Sequence, residues 1–362
     1  MLPARYSPLW QSLSRYWLSV AFLLGFITDL ILLDRIDDWV DNLILLFYVA
    51  LATLSLVLFY VGVAERVSPW LVRKLALITP ITMQYAFGGL LSGMLIFYGR
   101  SGDWFASAPF LLLIVGVILA NELVTRRSER LLYNVSVYFI GIFSYCVLIL
   151  PVWTGATGNF IFYASGVLAL AITMALIKIL KQIIPNFLTM QKRLLVFSVG
   201  GLYVLFNAMY FFNFIPPIPL SLIDLEIYQE MSRDQTSGIY TITKEVLPWY
   251  SIVPGLRPDF SPLPGKGAAC FARVFAPAKI STTIVHRWEF INADGEWQER
   301  YRLAYPISGE NTNGYRGFSL LTSITSGRWR CSVENERGQV LGRHAFTVDT
   351  SKVPASLVTV TE

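Results

Sequence analysis

The sequence predicts a membrane α-helical bundle of about seven transmembrane helices followed by an all-β, immunoglobulin-like sandwich. Two observations carry the first half. Of the 362 residues 54% are hydrophobic, with a mean hydropathy of +0.53, which is high for a water-soluble globule. The apolar residues also fall in long runs that end near Ile215. A third observation carries the second half: from Pro216 onward, charged residues and short alternating segments take over, the period-two pattern of strands.

Bilayer hydrocarbon roughly 30 Å thick is spanned by about 20 apolar residues. The qualifying runs are approximately 16–33, 43–63, 75–98, 104–124, 132–153, 160–180 and 194–215. Trp17, Trp104, Trp153, Tyr98 and Tyr163 lie near run ends, where an amphipathic ring sits at headgroup level. The first run contains Asp29 and no small-x-small cleavage site closes it, so it reads as a retained anchor and not as a signal peptide.

Charge gives the orientation. Alternate loops place Arg5, Arg15, Arg66, Arg73, Lys74, Arg126, Arg127, Arg130, Lys178, Lys181, Lys192 and Arg193 on one side, against Arg35 and Arg100 on the other. The positive-inside rule then makes the amino terminus cytoplasmic and puts residues 216–362 outside, in a periplasm or its equivalent. Those outer residues carry fifteen Lys plus Arg and fifteen Asp plus Glu. The net +5 therefore belongs to the membrane half, where topology and contact with anionic membrane lipids explain it. A nucleic-acid partner is not expected, since no recognition motif accompanies the charge.

Residues 1–215 form the predicted membrane domain. A connector, 216–265, opens with the prolines of "NFIPPIP" and holds an amphipathic piece around Leu220 to Met231 and a first strand, "IYTITKEV". Residues 266–350 form the sandwich core and 351–362 a tail. The core contains "AACFARVF", "TTIVHRWEF", "EWQERYRLAYPI", "YRGFSLLTSI", "GRWRCSVE" and "QVLGRHAFTV", giving about seven strands with the first, the count of an immunoglobulin-like sandwich. If Arg273 faces water, Cys270, Ala272 and Val274 turn inward. If Arg328, Arg330, Ser332 and Glu334 face water, Trp329, Cys331 and Val333 turn inward, with Trp288 between the cysteines in sequence. This Cys, Trp, Cys order predicts a Cys270–Cys331 disulfide. The alternative is two buried free thiols, because strand pairing sets the Cα separation. Cys146, within the fifth run, reads as a small apolar packing residue.

The segments "VFAPAKISTTIVHRWEF", "GYRGFS" and "SGRWRCSVENERGQVLGRHAFTV" resemble the carboxyl-terminal domain of a family of uncharacterised bacterial integral membrane proteins, a domain of unknown function. The resemblance covers roughly 216–350, and the helical half is similar to the membrane region that accompanies that domain. It implies a bacterial inner-membrane location and no established activity.

No catalytic constellation emerges. The only histidines, His286 and His344, both point inward on strands and read as hydrogen-bonded core residues. No Cys/His spacing suits zinc, no Gly-rich loop cradles phosphate and no G-x-S-x-G elbow occurs. Neither cofactor nor metal is expected, and an enzyme is disfavoured. Asp29 is the leading intramembrane polar residue, with Gln84, Tyr85, Tyr203 and Asn207 as candidate neighbours. A structural polar contact is favoured over a transport role. Gly89 and Gly93 form a small-xxx-small pair that reads as close helix packing. Asp34, Asp37, Asp38 and Asp41 read as a solvated acidic outer loop.

One outward face collects basic charge. If 282–290, 327–334 and 340–348 are neighbouring strands, Arg287, Arg328, Arg330 and Arg343 share it with Glu289 and Glu334, and Arg316 extends a site at the domain's end. Arginine forks suit carboxylate or phosphate, whereas an ordinary face would neutralise them in cross-strand Arg/Glu pairs. The leading expectation is an inner-membrane protein whose periplasmic sandwich binds an anionic envelope glycan, lipid headgroup or periplasmic protein. The alternative is a transporter or membrane-embedded enzyme using Asp29.

Overall fold

The computed structural model describes residues 24, 26–33, 38–120, 127–234, 236, 238–252, 257–277, 280–308, 313–354 and 356–361. The chain divides into two compact units, one of residues 1–100 and 107–219, the other of Ser101–Ala106 and Leu220–Glu362.

The first unit is helical. A segment over residues 26–32, α1, is followed by α2 (Trp39–Val63), α3 (Pro69–Arg100), α4 (Ala108–Ala120), α5 (Arg127–Thr154), α6 (Asn159–Ile183) and α7 (Pro185–Phe211). Of these seven among the described residues, α2, α3, α5, α6 and α7 are long and apolar enough to cross a membrane. Among the described residues the run at 104–124 contains the 13 residues of α4, with 121–124 outside the described residues, and the run at 16–33 lies largely outside them. Asp38 caps α2 by accepting the Val40 N–H at 3.0 Å, and Pro185 opens α7. Helix α5 is central, with 83% of its apolar window buried against 22% for α7. The Gly89 and Gly93 pair does pack closely, since a Cβ on Gly89 would lie 2.5 Å from the Tyr48 ring and one on Gly93 2.7 Å from Leu45.

The second unit is all β among its described strands: β1 (Ser221–Tyr228), β2 (Glu230–Arg233), β3 (Tyr240–Glu245), β4 (Ala268–Phe275), β5 (Thr282–Ile291), β6 (Trp297–Ile307), β7 (Tyr315–Leu321), β8 (Gly327–Asn335), β9 (Val340–Val348) and β10 (Leu357–Thr361). They form three antiparallel sheets ordered β1-β4-β7, β10-β3-β2 and β6-β5-β8-β9.

Strand β4 organises them because both of its faces are covered. Ala268, Cys270, Ala272 and Val274 pack against Ile284, Trp288, Val333 and Cys331 of the four-stranded sheet. Ala269 and Phe271, on its other face, pack against Met231, Tyr240 and Ile242. That second face accounts for two departures from expectation. Residues 220–231, expected as an amphipathic piece of a connector, are β1 and β2, and the expected tail supplies β10, which pairs with β3. Among the described residues the unit thus has ten strands in three sheets, where about seven strands were expected. The Cys270–Cys331 disulfide joins β4 to β8 across two sheets, with a Cα separation of 6.5 Å, and Trp288 is fully buried beside it.

Candidate functional site

Strand pairing brings Arg287, Arg330 and Arg343 to one face of neighbouring strands, but Glu289, Ser332 and Glu334 on that face are buried, where an outward face was expected. Strands β5, β8 and β9 are neighbours, with Arg287 opposite Ser332, Ser332 opposite Arg343, and Glu289 opposite Arg330. Arg330 donates to both Glu289 carboxylate oxygens, Nε at 2.5 Å and Nη2 at 3.0 Å, and lies 4.3 Å from the Trp297 ring centroid. Ser332 Oγ donates to the same carboxylate at 3.3 Å. Arg287 pairs with Glu334 and, at 3.7 Å, with Glu289. Arg343 reaches Asp103 of the Ser101–Ala106 segment at 3.4 Å, and the Asp103 N–H donates to the Val340 carbonyl at 3.1 Å.

Burial alone would raise the Glu289 carboxyl, but the Arg330 hydrogen bonds and the Arg287 charge outweigh it and hold Glu289 below its ordinary range. At Glu334 burial wins over Arg287 and the carboxyl is raised. Arg287, Arg330 and Arg343 are therefore neutralised by the protein itself, and only Arg328 of the predicted group is exposed without an ion pair among the described residues.

Arg316 belongs to a different place. It lines a cleft of about 640 Å³ along β7, with Arg233, Tyr240, Tyr305 and Tyr315. The Arg233 guanidinium lies 5.4 Å from the Tyr240 ring centroid and that of Arg316 6.0 Å, while the Tyr240 hydroxyl donates to the Arg316 carbonyl at 3.1 Å. Register sets Arg273 between Asp224 of β1 on one side and Arg316 of β7 on the other. Like charges in that position repel. Among the described residues none of Arg233, Arg273 and Arg316 makes an ion pair, and Arg273 Nε is buried without a hydrogen-bond partner. On the inner side of β7, Gly317 makes room for Tyr305, since any Cβ there would fall inside the Tyr305 ring's contact distance.

Sequence reasoning singled out Arg316 and missed Arg233, Arg273, Tyr240 and Tyr305. One signal was present: "AACFARVF" is apolar on both faces except at Arg273, a pattern that marks a charge on a covered face.

Behind the cleft runs a buried polar chain. Trp288 Nε1 donates to Ser319 Oγ at 2.8 Å, Ser319 Oγ lies 3.1 Å from His286 Nδ1, and His286 Nε2 lies 3.0 Å from the Tyr305 hydroxyl. Burial pushes the His286 imidazole down to about 4 and raises the Tyr305 phenol, so at neutral pH the first is neutral and the second protonated. Cys270, His286 and Cys331 lie close enough together to suggest metal ligands, but the sulfurs are joined to each other and both imidazole nitrogens are engaged. His344 is held differently. Its Nδ1 lies 3.0 Å from the Leu225 carbonyl, and its Nε2 3.1 Å from Arg257, which pairs with Glu226 at 2.8 Å.

In the helical unit Asp29 is buried, accepting from Tyr48 at 2.7 Å and from Ser92. The expected neighbours Gln84 and Asn207 are not its partners. Asp29 sits level with Gly93, nine residues and so roughly 13 to 14 Å along α3 from Gln84 at about 1.5 Å per residue. The Asn207 amide donates to Tyr203 in its own helix at 2.7 Å. Tyr85 is near only through Tyr48, at 5.8 Å between ring centroids. Of the acidic loop, Asp34 and Asp37 lie outside the described residues. Asp38 is exposed and serves as the α2 cap, whereas Asp41 is buried in the first turn, where a helix amino terminus favours a carboxylate, so Asp41 departs from the solvated loop expected.

Residues 281–348, spanning β5 to β9, match the family described as Protein of unknown function (DUF2914). The expected carboxyl-terminal domain of unknown function is thus supported for that segment. No curated protein matches the chain. Among solved structures, Pseudomonas fluorescens alkylpurine DNA glycosylase AlkC bound to DNA containing an abasic site analog aligns with 88% of this chain and 100% of its own at 11% identity and a TM-score of 0.19. A likeness that low carries no argument about fold or function.

Proposed function

We propose that this is a bacterial inner-membrane anion receptor, with its amino terminus in the cytoplasm and its β unit in the periplasm. The two sheets bridged by the disulfide beside Trp288 read as an immunoglobulin-like sandwich to which β10-β3-β2 is added. The carrying observation is the contrast in charge matching: Arg287, Arg330 and Arg343 each pair with a carboxylate, whereas Arg233 and Arg316 line one cleft and neither makes an ion pair among the described residues. Guanidinium groups left without carboxylates favour an exogenous anion. The ligand is an anionic group on an envelope glycan, a lipid headgroup or a periplasmic protein.

Two observations support the sidedness. A buried disulfide suits an oxidising compartment. The Ser101–Ala106 segment, a short loop expected outside by charge, clusters with Leu220–Glu362.

The test uses the full-length protein in detergent, with inorganic phosphate and glucuronate titrated against wild type and Arg233→Gln/Arg316→Gln. Binding of either anion to wild type, weakened at least tenfold in the variant as charge-assisted hydrogen bonds are removed, supports the receptor reading. Equal affinity in the two proteins removes it. A topology reporter fused after Glu362 must be active outside the cytoplasm, and cytoplasmic activity would sink the periplasmic assignment.

A further inference from the structure

The buried chain behind the cleft has a fixed direction, and its role in binding rests on the receptor reading above. Trp288 Nε1 is a donor only, so Ser319 Oγ accepts from it. Ser319 is buried, and its one hydroxyl hydrogen has a single remaining partner, His286 Nδ1. Were His286 protonated on Nδ1, Ser319 would hold two incoming N–H groups and its own hydrogen would be buried without an acceptor, which costs about 1–3 kcal/mol.

The satisfied arrangement runs in one direction: Trp288 N–H to Ser319, Ser319 O–H to His286 Nδ1, and His286 Nε2–H to the Tyr305 oxygen. The Tyr305 hydrogen is then left with no acceptor among the described residues, on a side chain that lines the cleft. Tyr240, whose hydroxyl is already spent on the Arg316 carbonyl, cannot supply the same donor.

We propose that Tyr305, positioned by the Nε2–H tautomer of His286, donates its hydroxyl hydrogen to the bound ligand, and that the ligand is a phosphate-type oxyanion. The class follows from donor count. Two guanidinium forks and one phenol offer about five hydrogens, more than the roughly four lone-pair sites of a carboxylate. A phosphate group presents three strong acceptor oxygens and up to two charges.

Selective ¹⁵N-histidine labelling of the full-length protein tests the tautomer without any variant, because the chain has only two histidines. His286 is expected protonated on Nε2. His344 is expected on Nδ1, donating to the Leu225 carbonyl and accepting from Arg257, which makes it an internal control. A His286 resonance pattern of the Nδ1–H form overturns the positioning argument even if phosphate binds.

Titration with inorganic phosphate tests the donor: Tyr305→Phe should weaken binding about three- to tenfold, the worth of one net hydrogen bond, and unchanged affinity overturns it. Glucuronate binding as tightly as phosphate to wild type overturns the ligand class while leaving an anion receptor in place. Loss of both anions from wild type removes the receptor reading and this inference together. Capture of phosphatidylcholine vesicles containing phosphatidic acid more tightly than inorganic phosphate assigns a lipid source, and the reverse assigns a soluble one.

Discussion

Two groups of arginines in the β unit have the same origin in sequence and opposite fates in structure. On β5 and β8 one face carries both Arg and Glu, Arg287 with Glu289 and Arg330 with Glu334, and register sets Glu289 opposite Arg330. The pair is sunk into the sheet, with Glu289 5% and Arg330 18% exposed at the side chain. On β7 register sets Arg316 opposite Arg273, and in the β10-β3-β2 sheet it sets Arg233 opposite Tyr240. Under the receptor reading, the arginines left for a ligand are Arg233 and Arg316, whose strand partners Tyr240 and Arg273 bring no carboxylate. Strand alternation decides which face a side chain takes, but the partner on that face is a property of register.

The largest effect should come from the bond that ties the two regions together. The Cys270–Cys331 disulfide links the strand of Arg273 to the strand of Arg330 across a sequence separation of 61, and closing a loop of that length stabilises by about 4 kcal/mol in the chain-entropy description. Cys270→Ala/Cys331→Ala in the full chain should lower the unfolding temperature of the β unit and loosen both regions together. A loss below about 1 kcal/mol would mean that packing around Trp288 alone holds the sheets.

Next is Glu289→Gln, which leaves Arg330 and Arg287 short of a buried counter-charge and should cost about 3 kcal/mol of stability. Phosphate affinity should be unchanged, the reverse of the pattern expected for Arg316→Gln. If Glu289→Gln weakens phosphate binding as much as Arg316→Gln does, the division into a structural face and a binding cleft fails.

Much of the architecture was legible in sequence. The break at Pro216 separates the two kinds of structure to within a few residues of the Leu220 boundary. Alternation about Arg273 and about Arg328 to Glu334 turns Cys270, Trp329 and Cys331 inward, and all three are buried. The third sheet was not legible, because β2 has four residues and β10 five, too short for a period to show. With that sheet unseen, Arg233 lay in a supposed connector and Tyr240 had nothing to pack against. Asp29 was legible as a polar residue in an apolar run, but its partners were not. Ser92 is inconspicuous in sequence, and only the closeness that Gly89 and Gly93 permit brings Tyr48 beside it.

The smallest effect is a pH dependence that sharpens the comparison, because it reads the floor of the cleft and not the paired face. His286 has its folded value lowered by burial from 6.5 to about 4. Between those values the unfolded chain binds more protons than the native state, so stability is full above about pH 6.5 and falls as pH drops. Between pH 7.5 and 5.5 the loss from this group should be about 1.3 kcal/mol. His344, also lowered by burial with the Arg257 charge adding to it, contributes with the same sign. The carboxylates act elsewhere or oppositely. Glu289, held low, loses its contribution only below its ordinary range, while the raised Glu334 gives stability that is lost as pH rises through its folded value. Comparing thermal unfolding of wild type and His286→Asn across that window isolates the first term. The wild type should lose more stability on acidification than the variant, and parallel curves would show that His286 is not the buried neutral imidazole on which the Tyr305 donor depends.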